Sequence, residues 1–108
     1  MTLATSLRLA DRPVSRFVGL MGQPPLTRDE AMVFRFPVVR SRRIHTWFVR
    51  APIDVLWLQR ERVTAIATLQ PWTFGKTAPA DTVIELPAGK AACVEIDDVV
   101  RLANRTSD

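Results

Sequence analysis

IDVLWLQRERVTAIATL (residues 53–69) is the most strongly patterned segment of the chain and predicts a β-hairpin. Residues 53–58 are apolar on both faces except at Asp54, which is typical of a strand in the interior of a sheet. The polar residues 59–62 predict the turn, and residues 63–69 predict the partner strand. Asp54 is therefore expected in an apolar setting, where its carboxylate needs hydrogen bonds or an ion pair.

Strands outside the hairpin are predicted from short alternating or apolar runs that are bounded by proline, glycine or polar residues. They cover residues 3–9, 32–36, 44–49, 82–86 and 98–102. Residues 38–43 carry three arginines and are expected to form an exposed loop, and residues 72–80 are expected to form a second loop. The chain therefore predicts six or seven short strands.

A short amphipathic helix is predicted between Asp11, which is a suitable N-cap, and Gly22, which ends it together with two prolines. Its apolar stripe consists of Val14, Phe17, Val18 and Met21. A second helical stretch is expected at residues 90–94. The expected fold class is α+β, a β-rich single domain with one or two short helices. Its strands are expected in a strongly curved sheet or small barrel, because many short strands need their edges closed.

The composition limits the chain to one ordinary globular domain, residues 1–108, of which residues 103–108 are expected to fray. It has 108 residues, 47% of them hydrophobic and 24% charged. Cys93 and His45 are the only cysteine and histidine, which excludes a disulfide framework and a multi-histidine or cysteine-based metal centre. No apolar run approaches the roughly 18–20 residues of a membrane span. The N-terminal residues do not form a signal peptide pattern, so the chain as written is expected in the cytoplasm.

Six motifs together resemble the domain-of-unknown-function 192 (DUF192) family. They are RFVGLMG (residues 16–22), MVFRF (32–36), HTWFVRAPIDV (45–55), LQPW (69–72), VIELPAG (83–89) and IDDV (96–99). The matches run from about residue 2 to residue 102, and their order and spacing are more specific than any single motif. The resemblance implies a compact β-rich domain that occurs in bacteria and archaea and is often exported. It implies no established activity.

A hydrolase-type enzyme that uses His45 with Asp54 is one functional hypothesis. His45 is the one side chain suited to proton transfer near neutral pH, and Asp54 lies just beyond the bend at Pro52. No recognised catalytic motif or suitable nucleophile accompanies the pair. The alternatives are a structural or ligand-contacting His45 and an Asp54 that organises a loop, and these alternatives are favoured.

A non-catalytic binding module is the leading hypothesis. Its candidate ligand-binding residues are Arg16, His45, Trp47, Arg50, Asp54, Gln70 and Trp72. Most of them come from the central segment and from the loop after Pro71, so one rim could hold them. An exposed tryptophan beside polar groups is a platform for a sugar ring or a peptide. The expected partners are therefore a carbohydrate, a peptide or a protein surface, with no cofactor and no metal.

The net charge of +4 and the arginine-rich residues 40–43 raise a third hypothesis, the binding of nucleic acid or another anionic polymer. Such binding would depend steeply on salt concentration. No recognised nucleic-acid motif accompanies the arginines, and strand alternation spreads them over different faces, so this hypothesis is the weakest. The expected oligomeric state is a monomer or a weak homodimer.

Overall fold

The computed structural model describes the backbone of residues 6–9, 30–45, 51–71 and 74–101, and the side chains of residues 30–42, 51–71 and 77–101. Five strands form one sheet: β1 (Ser6–Leu9), β2 (Glu30–His45), β3 (Ile53–Gln59), β4 (Arg62–Leu69) and β5 (Phe74–Pro87). Their spatial order is β1-β2-β5-β3-β4. β1 runs parallel to β2, and every other neighbouring pair is antiparallel.

The central hairpin is confirmed as β3 and β4. β3 pairs with β4 on one side and with β5 on the other, as expected for a strand that is apolar on both faces. Arg60 and Glu61 connect the hairpin with φ values of 51° and 69°. Two consecutive positive φ values are typical of the tight turn whose twist matches that of the flanking strands.

The prediction of loops at residues 38–43 and 72–80 is wrong over most of both segments. β2 and β5 continue through them, and residues 40–43 pair with residues 77–80. We call this paired part the distal ribbon. A register shift separates it from the rest of the β2–β5 ladder. The prediction failed because backbone pairing does not require an apolar alternation, which this arginine-rich stretch lacks.

The distal ribbon lies against the central hairpin. The indole Nε1 of Trp57 donates to the backbone carbonyl of Arg42 at 2.8 Å. In the ladder, Trp57 pairs with Val83, and Val83 pairs with Phe34, eight residues before Arg42 on β2. From β4, the second strand of the hairpin, the Thr64 hydroxyl donates to the carbonyl of Pro79 at 2.8 Å. The sheet is thus bent back on itself, but its five described strands do not close into a barrel.

Two groups of buried side chains cover the two faces of the sheet. The Trp57 face includes Met32, Phe34, Val55, Trp57 and Val83. The Leu56 face includes Val33, Leu56, Leu58, Ile84 and Leu86, against which Ala91 and Val94 pack. The segment that follows β5 therefore covers the Leu56 face.

The predicted helix at residues 90–94 and the predicted strand at residues 98–102 are both corrected by the structure. Residues 88–93 form successive turns, with backbone bonds from Lys90 N to Pro87 O and from Ala92 N to Gly89 O. The last strand is reduced to an isolated bridge between Arg62 and Val99. The predicted helix between Asp11 and Gly22 lies outside the described residues.

The β-rich class is confirmed, whereas the six or seven strands and the helices are not. The described residues contain five strands and no helix. None of them belongs to a helix that is long and apolar enough to cross a membrane.

Candidate functional site

Three strands meet at one edge of the sheet. Ile53, the first residue of β3, pairs with Leu69, the last residue of β4, and with Pro87, the last residue of β5. We call these three positions the Ile53 edge. Gln70 follows Leu69 directly and is exposed. The Ile53 edge therefore gathers the ends of the segments from which most of the predicted binding residues come.

Asp54 lies beside the Ile53 edge, and both of its carboxylate oxygens are engaged. The side chain is 3% exposed. Oδ1 accepts a hydrogen bond from the Thr68 hydroxyl at 2.6 Å. Oδ2 accepts hydrogen bonds from the backbone N–H groups of Gly89 and Ala91, both at 2.9 Å. The carboxylate thereby fixes the turn after β5 to the start of β3.

The hydrogen bonds that Asp54 accepts matter because the backbone turns sharply away from the sheet directly after β5. Gly89 has a φ of +95°, a conformation that residues with a side chain rarely adopt. A buried N–H without a partner would cost about 1–3 kcal/mol. By accepting two such bonds, Asp54 lets the turn bring Ala91 and Val94 onto the Leu56 face.

The structure brings only some of the predicted site residues together. Asp54 and Gln70 lie near the same edge, because Gln70 follows the partner of Ile53. His45 is held elsewhere in the ladder: its backbone pairs with Phe74, at the first residue of β5, whereas Asp54 pairs with Leu86 near the last. The other four predicted residues lie outside the described residues. They are Arg16, Trp47, Arg50 and Trp72.

Glu85 is a candidate functional residue that the sequence reasoning missed. It lies on β5 between Met32 of β2 and Val55 of β3. Its side chain is 5% exposed, and Oε1 is buried without a hydrogen-bond donor or acceptor anywhere in the described part of the chain. Desolvation by burial raises the pKa of Glu85 to about 8. A carboxyl group in this state is mostly protonated at neutral pH.

The sequence carries a signal for Glu85, although residues 82–86 on their own predict only a strand. VIEL (residues 83–86) places an acid between apolar residues on both sides, the same pattern that marked Asp54. The two acids differ in what surrounds them. Asp54 pairs across the strands with Leu86 and Thr68, whereas Glu85 pairs with Val55 and Met32. Because side chains alternate along a strand, the two carboxyl groups lie on opposite faces of the sheet.

The described side chains offer no preformed metal site. No group of three or more histidine, cysteine, aspartate or glutamate side chains with metal-binding geometry occurs among them. Cys93 is an exposed free thiol on the turn segment. The chemistry available in this part of the molecule is hydrogen bonding by Glu85 and the structural hydrogen bonding of Asp54.

Comparison with known solved structures shows the same fold in other proteins. A crystal structure from Sinorhizobium meliloti, described as that of a candidate transcription regulator, matches with a TM-score of 0.76 and 25% sequence identity. The match covers 86% of this chain and 78% of that protein.

Sequence comparisons place the chain among uncharacterised proteins. A UPF0127 protein of Pyrococcus furiosus is 33% identical over an alignment of 98 positions, and the match covers 85% of this chain and 82% of the relative. A UPF0127 protein of Thermococcus kodakarensis is 31% identical over 96 residues, but the match spans only 60% of that relative. The model of the DUF192 family, described as uncharacterized ACR, matches residues 1–102. The chain therefore belongs to the DUF192 family.

Proposed function

We propose that the chain is a non-catalytic binding module whose ligand, a carbohydrate, a peptide or a protein surface, docks at the Ile53 edge. The observation that carries this proposal is the register of β3. Its first residue pairs with the last residues of both β4 and β5. The segment before β3 and the segments after β4 and β5 therefore all begin at the Ile53 edge. Arg50 lies three residues before Ile53, and Trp72 three residues after Leu69.

The hydrogen bonding of Asp54 argues against an acid–base role for its carboxylate and therefore supports binding over hydrolysis as the function of the chain. A general base must present a carboxylate oxygen to the substrate. Both oxygens of Asp54 instead accept bonds from Thr68, Gly89 and Ala91 within the protein. Withdrawing the carboxylate from these donors would leave the buried N–H of Ala91 and the partly buried N–H of Gly89 without this partner, so its role in organising the turn after β5 is favoured.

Titration of the ¹⁵N-labelled protein with cellobiose, chitotriose and a pool of neutral pentapeptides tests the proposal. We expect chemical-shift changes at the backbone amides next to the Ile53 edge, namely those of residues 51, 53, 54, 69, 70, 88 and 89. The Trp72→Ala substitution should weaken binding about ten-fold, the typical effect of losing an aromatic platform. Val39→Ala is the control, because Val39 is an exposed apolar residue on β2. Shift changes centred away from the Ile53 edge would contradict the proposal.

The same samples separate binding from hydrolysis. Mass spectrometry after prolonged incubation should show each probe intact. Release of shorter products, lost in the His45→Ala variant, would instead support the hydrolase hypothesis with His45 and Asp54.

Binding to nucleic acid is a second candidate, favoured by the description of the Sinorhizobium meliloti protein as a candidate transcription regulator. Arg35 and Arg40 are exposed on β2, but Arg42 is used internally. Its guanidinium lies 3.9 Å from the centre of the Phe36 ring and donates to the carbonyls of Ala80 and Val38. Fluorescence anisotropy with duplex DNA and single-stranded RNA at two salt concentrations tests this candidate. Affinity that falls steeply with salt would support it.

A further inference from the structure

Glu85 is a buried acid whose hydrogen-bonding capacity is not satisfied by the described part of the protein. Its carboxyl group is buried, and Oε1 has no hydrogen-bond partner in the described part of the chain. An orphaned buried polar atom of this kind is rare in native proteins and calls for an explanation. Asp54 shows the contrast, because that buried acid is supplied with three donors by its own chain.

The side chains next to Glu85 are apolar, and we call them together the apolar frame. Its neighbours across the strands are Met32 and Val55, and Val83 precedes it on the same face of β5. No ion pair to Glu85 is present in the parts of the chain that the structure describes. The frame therefore supplies neither a donor for a carboxylate nor a charge to balance it.

The position of Glu85 connects it to the proposed binding edge. Pro87, which belongs to the Ile53 edge, lies two residues further along β5, and Val55, the partner of Glu85, lies two residues beyond Ile53. Positions two apart on a strand share one face. Glu85 is thus the next position inward from the Ile53 edge on the Trp57 face.

We propose that Glu85 is the buried recognition group of the ligand site and that it binds an uncharged group of the ligand that can both donate and accept a hydrogen bond, namely a hydroxyl or a primary amide. This inference rests on the proposed function and adds the chemistry of the ligand to it. A neutral carboxyl group offers one O–H donor and a carbonyl acceptor, which a hydroxyl or an amide complements. The hydrogen bonds satisfy the orphaned Oε1.

A cationic ligand group is disfavoured by the same surroundings. A cation entering the frame would lose its hydration, and it would find no acceptor there except Glu85 itself. Burial holds the pKa of Glu85 near 8, so at neutral pH the group meets its ligand mainly as an uncharged acid. Hydroxyl and amide groups require no such loss of ionic hydration.

Three variants test the role of Glu85 in the full chain. Glu85→Gln keeps an uncharged donor and acceptor, whereas Glu85→Leu removes both and keeps the volume. Glu95→Gln is the matched control, because Glu95 is exposed. The Leu variant is expected to fold, since an apolar side chain replaces an unsatisfied buried acid. Circular dichroism and the dispersion of its NMR spectrum verify this before any binding experiment.

The probes are cellobiose as a source of hydroxyls, N-acetylglutaminamide as a source of a primary amide, and butylammonium as a cation. NMR titration at pH 6, 7, 8 and 9 measures each affinity. We expect one of the two neutral probes to shift the amides of Val55 and Glu85, and the probe that binds identifies the source of the group. Glu85→Leu should weaken this binding about ten-fold, the usual effect of losing one well-formed hydrogen bond. Glu85→Gln and Glu95→Gln should retain it.

The pH profile separates recognition by Glu85 from a merely structural role. Affinity of the wild-type chain should fall as the pH rises above about 8, where Glu85 ionises. The affinity of Glu85→Gln should not change with pH. Preferred binding of butylammonium, or unchanged binding in Glu85→Leu, would overturn the inference.

Three further outcomes are equally decisive. Loss of binding in Trp72→Ala together with full binding in Glu85→Leu would leave the proposed function standing and overturn this inference alone. A carboxyl ¹³C titration that places the pKa of Glu85 near 4.5 in the ligand-free chain would show that its charged form is already stabilised, and it would overturn the inference. Failure of every probe to bind would overturn both proposals.

Discussion

At the scale of single residues, Asp54 and Glu85 show how two acids in the same sequence pattern, an acid within an apolar strand, take two different roles. Each is a buried acid within an apolar strand. The chain supplies Asp54 with the Thr68 hydroxyl and two backbone N–H groups. It leaves Oε1 of Glu85 without a hydrogen-bond partner in its described part. The surroundings, which come from distant residues, decide between a structural acid and a recognition group.

The Asp54→Asn substitution is expected to lower the free energy of unfolding by about 2 kcal/mol, because an amide cannot accept all three hydrogen bonds that the carboxylate accepts. Urea unfolding followed by tryptophan fluorescence measures the change, with Glu95→Gln as an exposed control. Amide hydrogen exchange at Gly89 and Ala91 should become faster. A variant as stable as the wild type would contradict the structural role of Asp54.

At the scale of elements, the bond between Trp57 and the distal ribbon is the clearest link between distant parts of the sheet. The Trp57→Phe substitution keeps an aromatic ring on β3 but removes the 2.8 Å bond to the carbonyl of Arg42. We expect the unfolding free energy to fall by about 1–3 kcal/mol, from the unsatisfied carbonyl and the smaller ring. Hydrogen exchange should accelerate in residues 77–80 more than in β4. A uniform acceleration would contradict the view that the Trp57 bond holds the distal ribbon locally against the hairpin.

Elements that follow a simple alternation were predictable, and those that depend on distant partners were not. The hairpin of β3 and β4 could be read from the sequence because its apolar pattern and its polar turn are local signals. The distal ribbon could not, because the pairing of residues 40–43 with residues 77–80 joins two stretches without apolar alternation. Glu85 was missed for a related reason: only the packing of β2 and β3 on either side reveals that its carboxyl group is buried.

At the scale of the whole molecule, Glu85 makes stability depend on pH. Its pKa is about 8 in the folded chain and 4.5 without burial. Between these pH values the folded state binds more protons than the unfolded state, so raising the pH favours unfolding. The contribution is therefore fully favourable below about pH 4.5, falls by about 1.4 kcal/mol per pH unit up to about pH 8, and is then constant.

Urea unfolding at pH 5, 6, 7 and 8 checks this dependence through the difference between the wild type and Glu85→Gln. Other titrating groups contribute equally to both proteins, so the difference isolates Glu85. We expect the Gln variant to gain stability relative to the wild type as the pH rises. Parallel curves would show that the acid is already paired in the folded protein.

The strand order also governs how the chain can reach its native state. β5, the last of the described strands in sequence, lies between β2 and β3 and pairs with both. Until β5 has been synthesised, β2 lacks the antiparallel partner that it has in the folded sheet. The β3–β4 hairpin lacks the strand that joins it to β2. Pairing across such large sequence separations makes folding slow. Assembly of the sheet therefore awaits synthesis of β5, and until then the apolar side chains and unpaired backbone of the hairpin are exposed, which is the condition that favours aggregation.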